Sequence, residues 1–275
     1  MLVSIITPAY RAQATIARAV KSVLAQTYKD WEIVVVSDDG IDYVDLLAQH
    51  GIRGARIRGI STGRVGSGCH NARNAGLAVA RGEAIAALDA DDVFLPRRLE
   101  TLLPVARRDG AATDNPVVID DVSGAEFHRA RAGSFTFVKL DVSALLALSV
   151  PLFPLVMREH AEPRLPGVEL GEDFVANLRL IDRIGSLTML GETLSEYHVV
   201  TGSLCHSDES AAGFEKSYTD LIERLSGGDR LGLSGRNAIA ARDGLLQKRE
   251  LNRAFARAKA LDPDLDFQSF AASRR

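Results

Sequence analysis

The sequence predicts an α/β fold in which a mainly parallel, mixed sheet is flanked by helices and followed by a C-terminal helical extension. Through the first hundred residues, short runs rich in Val and Ile alternate with segments whose apolar positions recur every three or four residues. Continuous apolar runs are typical of strands that are buried on both faces. Strands that alternate with helices in this way form parallel sheets with right-handed crossovers.

The individual elements follow from this pattern and from the residues that end each run. We expect strands at residues 2–7, 32–36, 55–60 and 84–88. The helices between and after them should cover residues 15–24, 43–49, 70–80 and 96–108, with Thr15 as the first N-cap. Later in the chain we expect strands at 116–120 and 134–140 and helices at 171–184, from 210 onward, and at 237–261 after a Gly-rich break at 226–235.

Composition and charge exclude several classes of protein. A formal net charge of −3 provides no basic field of the kind that binds nucleic acid. Cys69 and Cys205 lie far apart without metal-site spacing, so we expect two free thiols in a reducing cytosol. The apolar run at 142–156 is shorter than the ~20 residues that span a bilayer and contains two prolines, so we expect it in the core of a cytoplasmic protein.

The candidate functional residues lie where the predicted strands end. Pro8-Ala9-Tyr10 follows the first strand, Asp38-Asp39 the second and Asp89-Ala90-Asp91 the fourth. In open parallel sheets, ligands bind outside the carboxyl ends of the strands. The sequence therefore predicts a ligand site at this edge of the sheet.

The carboxylates at the end of the fourth strand point to a cation. Asp89 and Asp91 are separated by one residue, and Asp92 follows at once. Alternate side chains of a strand share a face, and adjacent buried anions are costly unless a cation is present. Hard divalent ions take oxygen ligands and keep positions open for substrate phosphates. The alternative interpretation is an acidic turn at a strand end.

Two further segments are compatible with nucleotide binding. A carboxylate at Asp39 can accept hydrogen bonds from a base or from ribose, although a turn with Gly40 in the left-handed conformation explains the same residues. Arg73 and Asn74 lie near the start of a predicted helix, which is a natural place for phosphates. A solvated helix face is the equally weighted alternative.

Later residues supply candidates for proton transfer and metal binding. Glu172 and Asp173 open the predicted helix at 171–184, and a carboxylate aimed into a cleft there can deprotonate a hydroxyl. A charge partner of the helix N-terminus is the alternative role. His198 and His206 flank Gly202-Ser203, and each is either a metal or phosphate ligand or a structural histidine.

Together, these residues resemble the family 2 glycosyltransferases. The resemblance is carried by VSIITPAYRAQATIARAVKSVLAQTYKDWEIVVVSDDG, NARNAGLAVARGEAIAALDADDVFLP and LGEDFVANLRL, which fall within residues 3–181. It implies a GT-A fold and an inverting, metal-dependent transfer of a sugar from a nucleotide diphosphate, most often UDP. The acceptor implied is a hydroxyl of a saccharide or a lipid-linked saccharide in bacterial polysaccharide or lipopolysaccharide assembly.

The resemblance also implies a domain division and donor-site roles. Residues 1–207 would form the catalytic domain, with a nucleotide-binding half at 1–110 and an acceptor-binding half at 111–207, and residues 208–275 the helical extension. Asp39, helped by Asp38, would hold the base. The remaining donor-binding candidates are Pro8, Ala9 and Tyr10 in the nucleoside pocket, together with Arg73, Asn74, Asp89 and Ala90.

The metal and the general base are likewise implied by position. Asp91 would be the principal ligand of Mn²⁺ or Mg²⁺, with Asp89 on the ribose or a metal-bound water and His198 as a further metal ligand. Asp173, in the pair with Glu172, would be the general base of catalysis.

Three positions depart from the family pattern, and two other functions compete. Ile41 replaces the usual serine, Ala87 an aromatic residue, and Tyr197-His198 the common Tyr-Arg. A nucleotidyltransferase normally has a Gly-rich, basic loop after the first strand, where this chain has Pro8-Ala9-Tyr10. A non-catalytic interaction module on the same fold would be expected to lose the carboxylates at 91 or 173.

The last long helix is basic and amphipathic. Residues 236–259 contain seven basic side chains against two acidic ones, with apolar residues such as Leu245, Leu246, Leu251 and Phe255 between them. Such a helix either contacts an anionic membrane surface peripherally or packs on the catalytic domain or on the second subunit of a homodimer.

Overall fold

The computed structural model of the protein describes residues 1–168, 170–200, 209–263 and 265–274. Within these residues, strands form an eight-stranded sheet and a four-stranded sheet, and helices cover them.

Four parallel strands form the first half of the larger sheet. In spatial order they are β3 (Ile57–Ser61), β2 (Trp31–Ser37), β1 (Val3–Ala9) and β4 (Ala84–Ala87). The register places Ile5 of β1 between Ile33 of β2 and Ala86 of β4. All four carboxyl ends therefore meet at one edge.

Helices bury both faces of these strands. One face is covered by α1 (Ile16–Leu24), α2 (Tyr43–Gln49) and α4 (Arg98–Asp109), and the other by α3 (Cys69–Val79). Since strand side chains alternate, Ile5 packs into the first layer and Ile6 into the second. Gly76 of α3 lies so close to β1 that an added Cβ would be 2.4 Å from Ile6 Cγ2. This glycine lets the helix approach the sheet.

The second half of the sheet mixes directions. Its strands are β10 (Leu155–Met157), β6 (Ala111–Thr113), β11 (Leu187–Leu190) and, at the edge, β9 (Phe137–Leu140). β10 runs antiparallel to both β4 and β6, whereas β11 is parallel to β6 and antiparallel to β9. The sheet therefore changes from parallel to mixed strand pairing at β10.

A smaller sheet stands beside the acidic end of β4. Its strands, in spatial order, are β5 (Val93–Phe94), β12 (Ser195–Val199), β7 (Val117–Asp120) and β8 (Glu126–Arg129). Because β5 follows Asp92 directly and pairs with β12, residues of β12 lie next to the aspartate cluster.

The C-terminal helices share a core with the second half of the sheet. They are α5 (Val142–Leu146), α6 (Glu172–Ile184), α7 (Ser210–Ser226), α8 (Gly235–Lys259) and α9 (Phe267–Ala272), with a 3₁₀ turn at Arg158–His160. Leu245 of α8 is buried in one cluster with Leu145 and Leu178. An added Cβ at Gly244 would lie 2.5 Å from Leu146 Cδ1, so α8 packs tightly on α5.

The predicted fold class is confirmed. In the first hundred residues every expected strand and helix is present, with ends shifted by at most two residues. Val142, Leu145 and Leu152 of the apolar run at 142–156 are buried, as expected of core. The domain division stays a prediction, and its boundary at 207/208 lies outside the described residues, as do Cys205 and His206. Cys69 is a free thiol.

For α8, the packed alternative is confirmed. Leu245 and Phe255 are buried against neighbouring helices, so much of its apolar side faces inward. Among the residues that the structure describes, none of the helices combines the length and apolar character needed to cross a bilayer. Peripheral membrane contact and a homodimer stay predictions.

Candidate active site

Asp39 lies at the carboxyl end of β2 and is fixed by four accepted hydrogen bonds. Its Oδ2 accepts from Arg11 N at 2.7 Å and from the Tyr43 hydroxyl at 2.8 Å, and its Oδ1 accepts from Ile41 N and the Ser37 hydroxyl. Burial opposes ionisation, but these donors outweigh it and lower the pKa of Asp39. The carboxylate is therefore a fixed anion beside Arg11, whose backbone adopts a positive φ of 52°.

The neighbouring Asp38 organises the glycine-rich segment that follows β3. Its buried carboxylate accepts from the hydroxyls of Thr62 (2.7 Å) and Ser67 (2.5 Å) and from the backbone N–H groups of Ser67 and Gly68. Asp38 thus holds the loop that leads into α3. The two adjacent aspartates have different surroundings, although the sequence assigned both to base recognition.

Asp91 is a mostly buried carboxylate without an ion-pair partner among the described residues. Arg18 donates instead to the Asp91 backbone carbonyl at 2.6 Å and pairs with Asp121 at 2.5 Å. Burial first, and then the charge of Asp89, raises the pKa of Asp91 to about 6. A divalent cation would supply the missing positive charge and would find the oxygen ligand it prefers.

Asp92 and His198 form a network behind this carboxylate. Asp92 is buried, and its Oδ1 accepts from the His198 backbone N–H at 2.9 Å. The His198 ring lies between two carboxylates, with Nδ1 2.9 Å from Asp121 Oδ1 and Nε2 3.1 Å from Glu196 Oε2. A ring nitrogen that binds a metal must give up such a hydrogen bond. The role of His198 as a metal ligand stays a prediction.

Arg73 connects the end of β4 to the start of α6. Its buried guanidinium donates to Asp89 Oδ1 at 2.5 Å and to Glu172 Oε1 and lies 5.4 Å from the centre of the Phe153 ring. Arg164 Nε also pairs with Glu172, at 3.1 Å from Oε2. Burial opposes the charge of Arg73, but the neighbouring carboxylates, Asp173 first, raise its pKa well above the usual value. Arg73 is thus a permanent cation at the centre of this cluster.

Asp173 faces open space, whereas Glu172 does not. The side chain of Glu172 is 4% exposed and held by two arginines; that of Asp173 is 19% exposed. Asp173 Oδ1 is buried and faces the same two arginines, 3.4 Å from Arg73 Nη1 and 3.8 Å from Arg164 Nη2, but it accepts no hydrogen bond from a described residue. Asp173 and Asp89 both line one open pocket of about 870 Å³.

The described residues contain no group of three or more His, Cys, Asp or Glu side chains that would hold a metal ion on its own. Mg²⁺ typically binds through one or two carboxylates and completes its shell with substrate phosphates and water. The unpaired, oxygen-only carboxylate of Asp91 fits this second kind of site. Asp89 is already engaged by Arg73.

The structure brings most of the predicted residues to one edge of the sheet. Asp39, Asp89, Asp91 and Asp173 lie at strand or helix ends on this side, and Tyr10 is 46% exposed under Arg11 at the end of β1. The remaining sites at Pro8, Ala9 and Ala90 belong to the same strand ends.

Asn74 is engaged away from the predicted donor. Its side chain donates to the Arg164 carbonyl at 3.0 Å and accepts from the Arg164 N–H at 2.6 Å. It therefore positions Arg164, and its support of the donor stays a prediction.

Several site residues were missed in the sequence. Arg164, Asp121 and Phe153 lie in stretches without a recognisable motif, and the far wall of the pocket comes from α7, α8 and α9. The sequence offered one signal for that wall, the basic and apolar residues spaced along the last long helix.

The strand order and the acidic strand ends define a GT-A type fold. Staphylococcus aureus TarS, residues 1–349 in complex with UDP-GlcNAc, matches the structure with a TM-score of 0.71 and 15% sequence identity, covering 99% of this chain and 79% of that one. At this identity the likeness shows the fold alone.

Residues 4–157 match the model of Glycosyl transferase family 2, which is more than half of the chain. The chain therefore belongs to glycosyl transferase family 2.

Named relatives agree with this assignment. The putative teichuronic acid biosynthesis glycosyltransferase TuaG of Bacillus subtilis is 28% identical over 229 residues, covering 82% of this chain and 89% of TuaG. The succinoglycan biosynthesis protein ExoO of Rhizobium meliloti is 31% identical over 218 residues, with 74% and 62% covered. The Escherichia coli UDP-Glc:alpha-D-GlcNAc-diphosphoundecaprenol beta-1,3-glucosyltransferase WfgD is 40% identical over 99 residues, but the match spans only 38% of its length and 36% of this chain.

Proposed function

We propose that this protein is an inverting glycosyltransferase that moves a sugar from a nucleotide diphosphate sugar, with UDP as the nucleotide, to a hydroxyl group of a saccharide or lipid-linked saccharide acceptor. The proposal rests on one observation, which is that two segments far apart in the sequence line the same pocket. Asp89 of the aspartate cluster and Asp173 of α6 line the same open pocket, and Arg73 ties the two segments together.

The donor would bind at the strand ends, with Mn²⁺ or Mg²⁺ on its diphosphate. Asp91 is the residue that would hold the ion, because its carboxylate is mostly buried and has no ion-pair partner among the described residues. When bound, such an ion neutralises charge on the diphosphate leaving group. Asp39 and the residues at the end of β1 would hold the nucleoside, with Asp38 fixing the adjacent loop.

Asp173 is the general base in this proposal. Its carboxylate, which lines the pocket, accepts the proton of the acceptor hydroxyl while the hydroxyl oxygen forms a bond to the anomeric carbon. The bond from that carbon to the diphosphate oxygen breaks on the opposite side, so the configuration inverts and the nucleoside diphosphate leaves. Glu172 is a positioning residue, because both of its oxygens face arginines.

The named relatives support the biological setting. TuaG and ExoO carry names from bacterial polysaccharide biosynthesis, WfgD is named for a UDP-glucose donor and a lipid-linked acceptor, and the TarS structure contains UDP-GlcNAc. We infer a role in bacterial polysaccharide assembly from these names. A non-catalytic module is disfavoured because the carboxylates at 91 and 173 are both present.

A nucleotide screen tests the donor part of the proposal. We expect UDP with Mn²⁺ to raise the melting temperature by several degrees, since ligand at a hundredfold excess over Kd adds about 2.7 kcal/mol. GDP and dTDP serve as matched nucleotides, and UDP without metal is the second control. Failure of every nucleotide to shift the melting temperature would contradict the proposal.

The predicted inversion of configuration is tested on the product of sugar transfer. We expect the new anomeric centre to have the configuration opposite to that of the donor sugar, as read from the anomeric proton coupling in the NMR spectrum of early product. Retention of configuration would exclude a single displacement with Asp173 as base.

A further inference from the structure

We propose that Lys248 of α8 binds an anionic group on the acceptor, so that the C-terminal helices select an acidic saccharide; this inference rests on the proposed function. The pocket that contains Asp173 has two walls of different origin. One wall carries Asp89 and Asp173, and the other is built by α7, α8 and α9. An acceptor that reaches Asp173 must therefore contact the helical extension.

Lys248 is a buried amine on that second wall. It is 9% exposed, and its Nζ donates to the Leu148 carbonyl at 2.6 Å and lies 4.2 Å from the centre of the Phe174 ring. No carboxylate among the described residues pairs with it. The ammonium group has three N–H donors, of which the Leu148 carbonyl takes one. The remaining donors are left for a group that enters the pocket.

Two other basic residues of α8 have carboxylate partners, which Lys248 lacks. Arg253 pairs with Glu215 and Glu250, and Arg242 pairs with Asp243, all at distances of 2.7–2.9 Å. Those arginines are partly exposed, whereas Lys248 is buried and has no such partner. Burying an ammonium group without an anion is costly, and burial lowers the pKa of Lys248 to about 7. An anion from a ligand would remove this cost.

The lining around Lys248 suits a sugar ring. Aromatic side chains from four helices surround the pocket, and flat aromatic faces pack against the apolar face of a pyranose. These side chains are Phe174, Phe214, Tyr218, Phe255 and Phe267.

The same chemistry can come from two sources, a uronic acid carboxylate or a phosphate attached to the sugar. Three matched probes separate them: phenyl β-D-glucoside, phenyl β-D-glucuronide and the phenyl ester of glucose 1-phosphate. Binding of each is measured by calorimetry in the presence of UDP and Mn²⁺, so the readout does not depend on transfer.

For the wild-type protein we expect at least one anionic probe to bind about tenfold more tightly than the neutral glucoside, and the preferred anion identifies the source. Lys248→Met, which keeps the length and apolar stem, should bind all three probes equally. Lys248→Arg should keep the preference. Arg257→Met removes an exposed cation from the same helix and should leave the preference unchanged.

Equal binding of the three probes by the wild-type protein would overturn the proposal without any variant. A preference that survives in Lys248→Met would also overturn it, because the anion would then be held elsewhere. A merely structural role for Lys248, as a cap on the Leu148 carbonyl, predicts lower stability and equal weakening for all probes. Absence of UDP binding in the same titrations would instead count against the proposed function.

Discussion

The proposed donor and acceptor sides of the candidate site are built in different ways. On the donor side, the candidate residues lie in short contiguous motifs at the ends of β1, β2 and β4, and parallel strands bring those ends together. On the acceptor side, the pocket wall combines α6 with α7, α8 and α9, whose residues are far apart in the chain. The first side is a product of local sequence, and the second depends on long-range packing.

Two neighbouring residues of one motif can have different roles, because different groups of the folded protein contact them. Asp38 and Asp39 differ in this way, and so do Glu172 and Asp173. Variants of these pairs therefore separate chemistry from structure.

The largest effect on activity is expected at Asp173. Asp173→Asn keeps the shape of the side chain but removes the proton acceptor, so transfer should slow by about 10²–10⁴-fold. UDP binding should be retained, because the proposed donor contacts lie on the strand ends. Single-turnover transfer and UDP calorimetry measure the two quantities. Near-normal transfer would remove Asp173 from the role of base.

The adjacent Glu172 should show the opposite pattern. Glu172→Gln removes the buried anion that lies between Arg73 and Arg164, and breaking a buried pair costs roughly 3–5 kcal/mol of stability. We expect a large loss in the free energy of unfolding, measured with urea. If Glu172→Gln were as stable as the wild type yet inactive, Glu172 rather than Asp173 would be the base.

Substitution of Asp91 by Asn should leave the stability of the protein unchanged or raise it, and it should abolish the effect of the metal on UDP binding. Because burial and Asp89 oppose its ionisation, Asp91→Asn removes an unfavourable charge from the apoprotein. UDP should then bind at least tenfold more weakly in Mn²⁺, to the level seen without metal. Calorimetry with and without Mn²⁺ measures this; UDP affinity that still responds to Mn²⁺ would place the ion elsewhere.

The two halves of the large sheet differ in how well the sequence predicts them. The strands and helices of the first hundred residues can be predicted because each has its own regular pattern of apolar residues and ends at a residue that interrupts this pattern. The mixed second half was harder, because β10 and β6 are three residues each and are specified by their neighbours in the sheet rather than by a local pattern.

The candidate site divides in the same way. Asp91, Asp173 and Arg73 were found because they stand in motifs, whereas Arg164 is held in the site by Asn74, 90 residues away in the chain, and by an ion pair with Glu172. Lys248 contacts the Leu148 carbonyl across 100 residues of chain. No local pattern encodes such contacts.

A smaller effect is expected at Gly76, on the donor side. An Ala side chain there would press its Cβ to 2.4 Å from Ile6 Cγ2, and overpacking of this kind costs typically 1–3 kcal/mol. Gly76→Ala should therefore lower the free energy of unfolding, although Ala is normally the better helix former. The exposed Gly54, with open space around its Cβ position, is a matched control. Equal stability of the two variants would show that α3 can move away from β1.

The last expected effect is a pH dependence of stability from the acceptor side, which develops gradually over several pH units. Burial lowers the pKa of Lys248 from 10.5 to about 7 in the folded state. Between these two values the unfolded chain holds a proton that the folded protein has released, so stability should rise with pH, by at most about 1.4 kcal/mol per unit. Below pH 7 both states are protonated and this contribution is constant. Urea unfolding from pH 7 to 9.5 should show the rise in the wild type and its loss in Lys248→Met.

The most direct test of the central claim is the position of manganese in crystals grown with UDP and Mn²⁺, located by its anomalous scattering. The account predicts one Mn²⁺ in contact with the Asp91 carboxylate and with the UDP diphosphate, on the side of the sheet where the pocket with Asp173 opens. Manganese bound away from Asp91, or a diphosphate held at another face of the sheet, would contradict it.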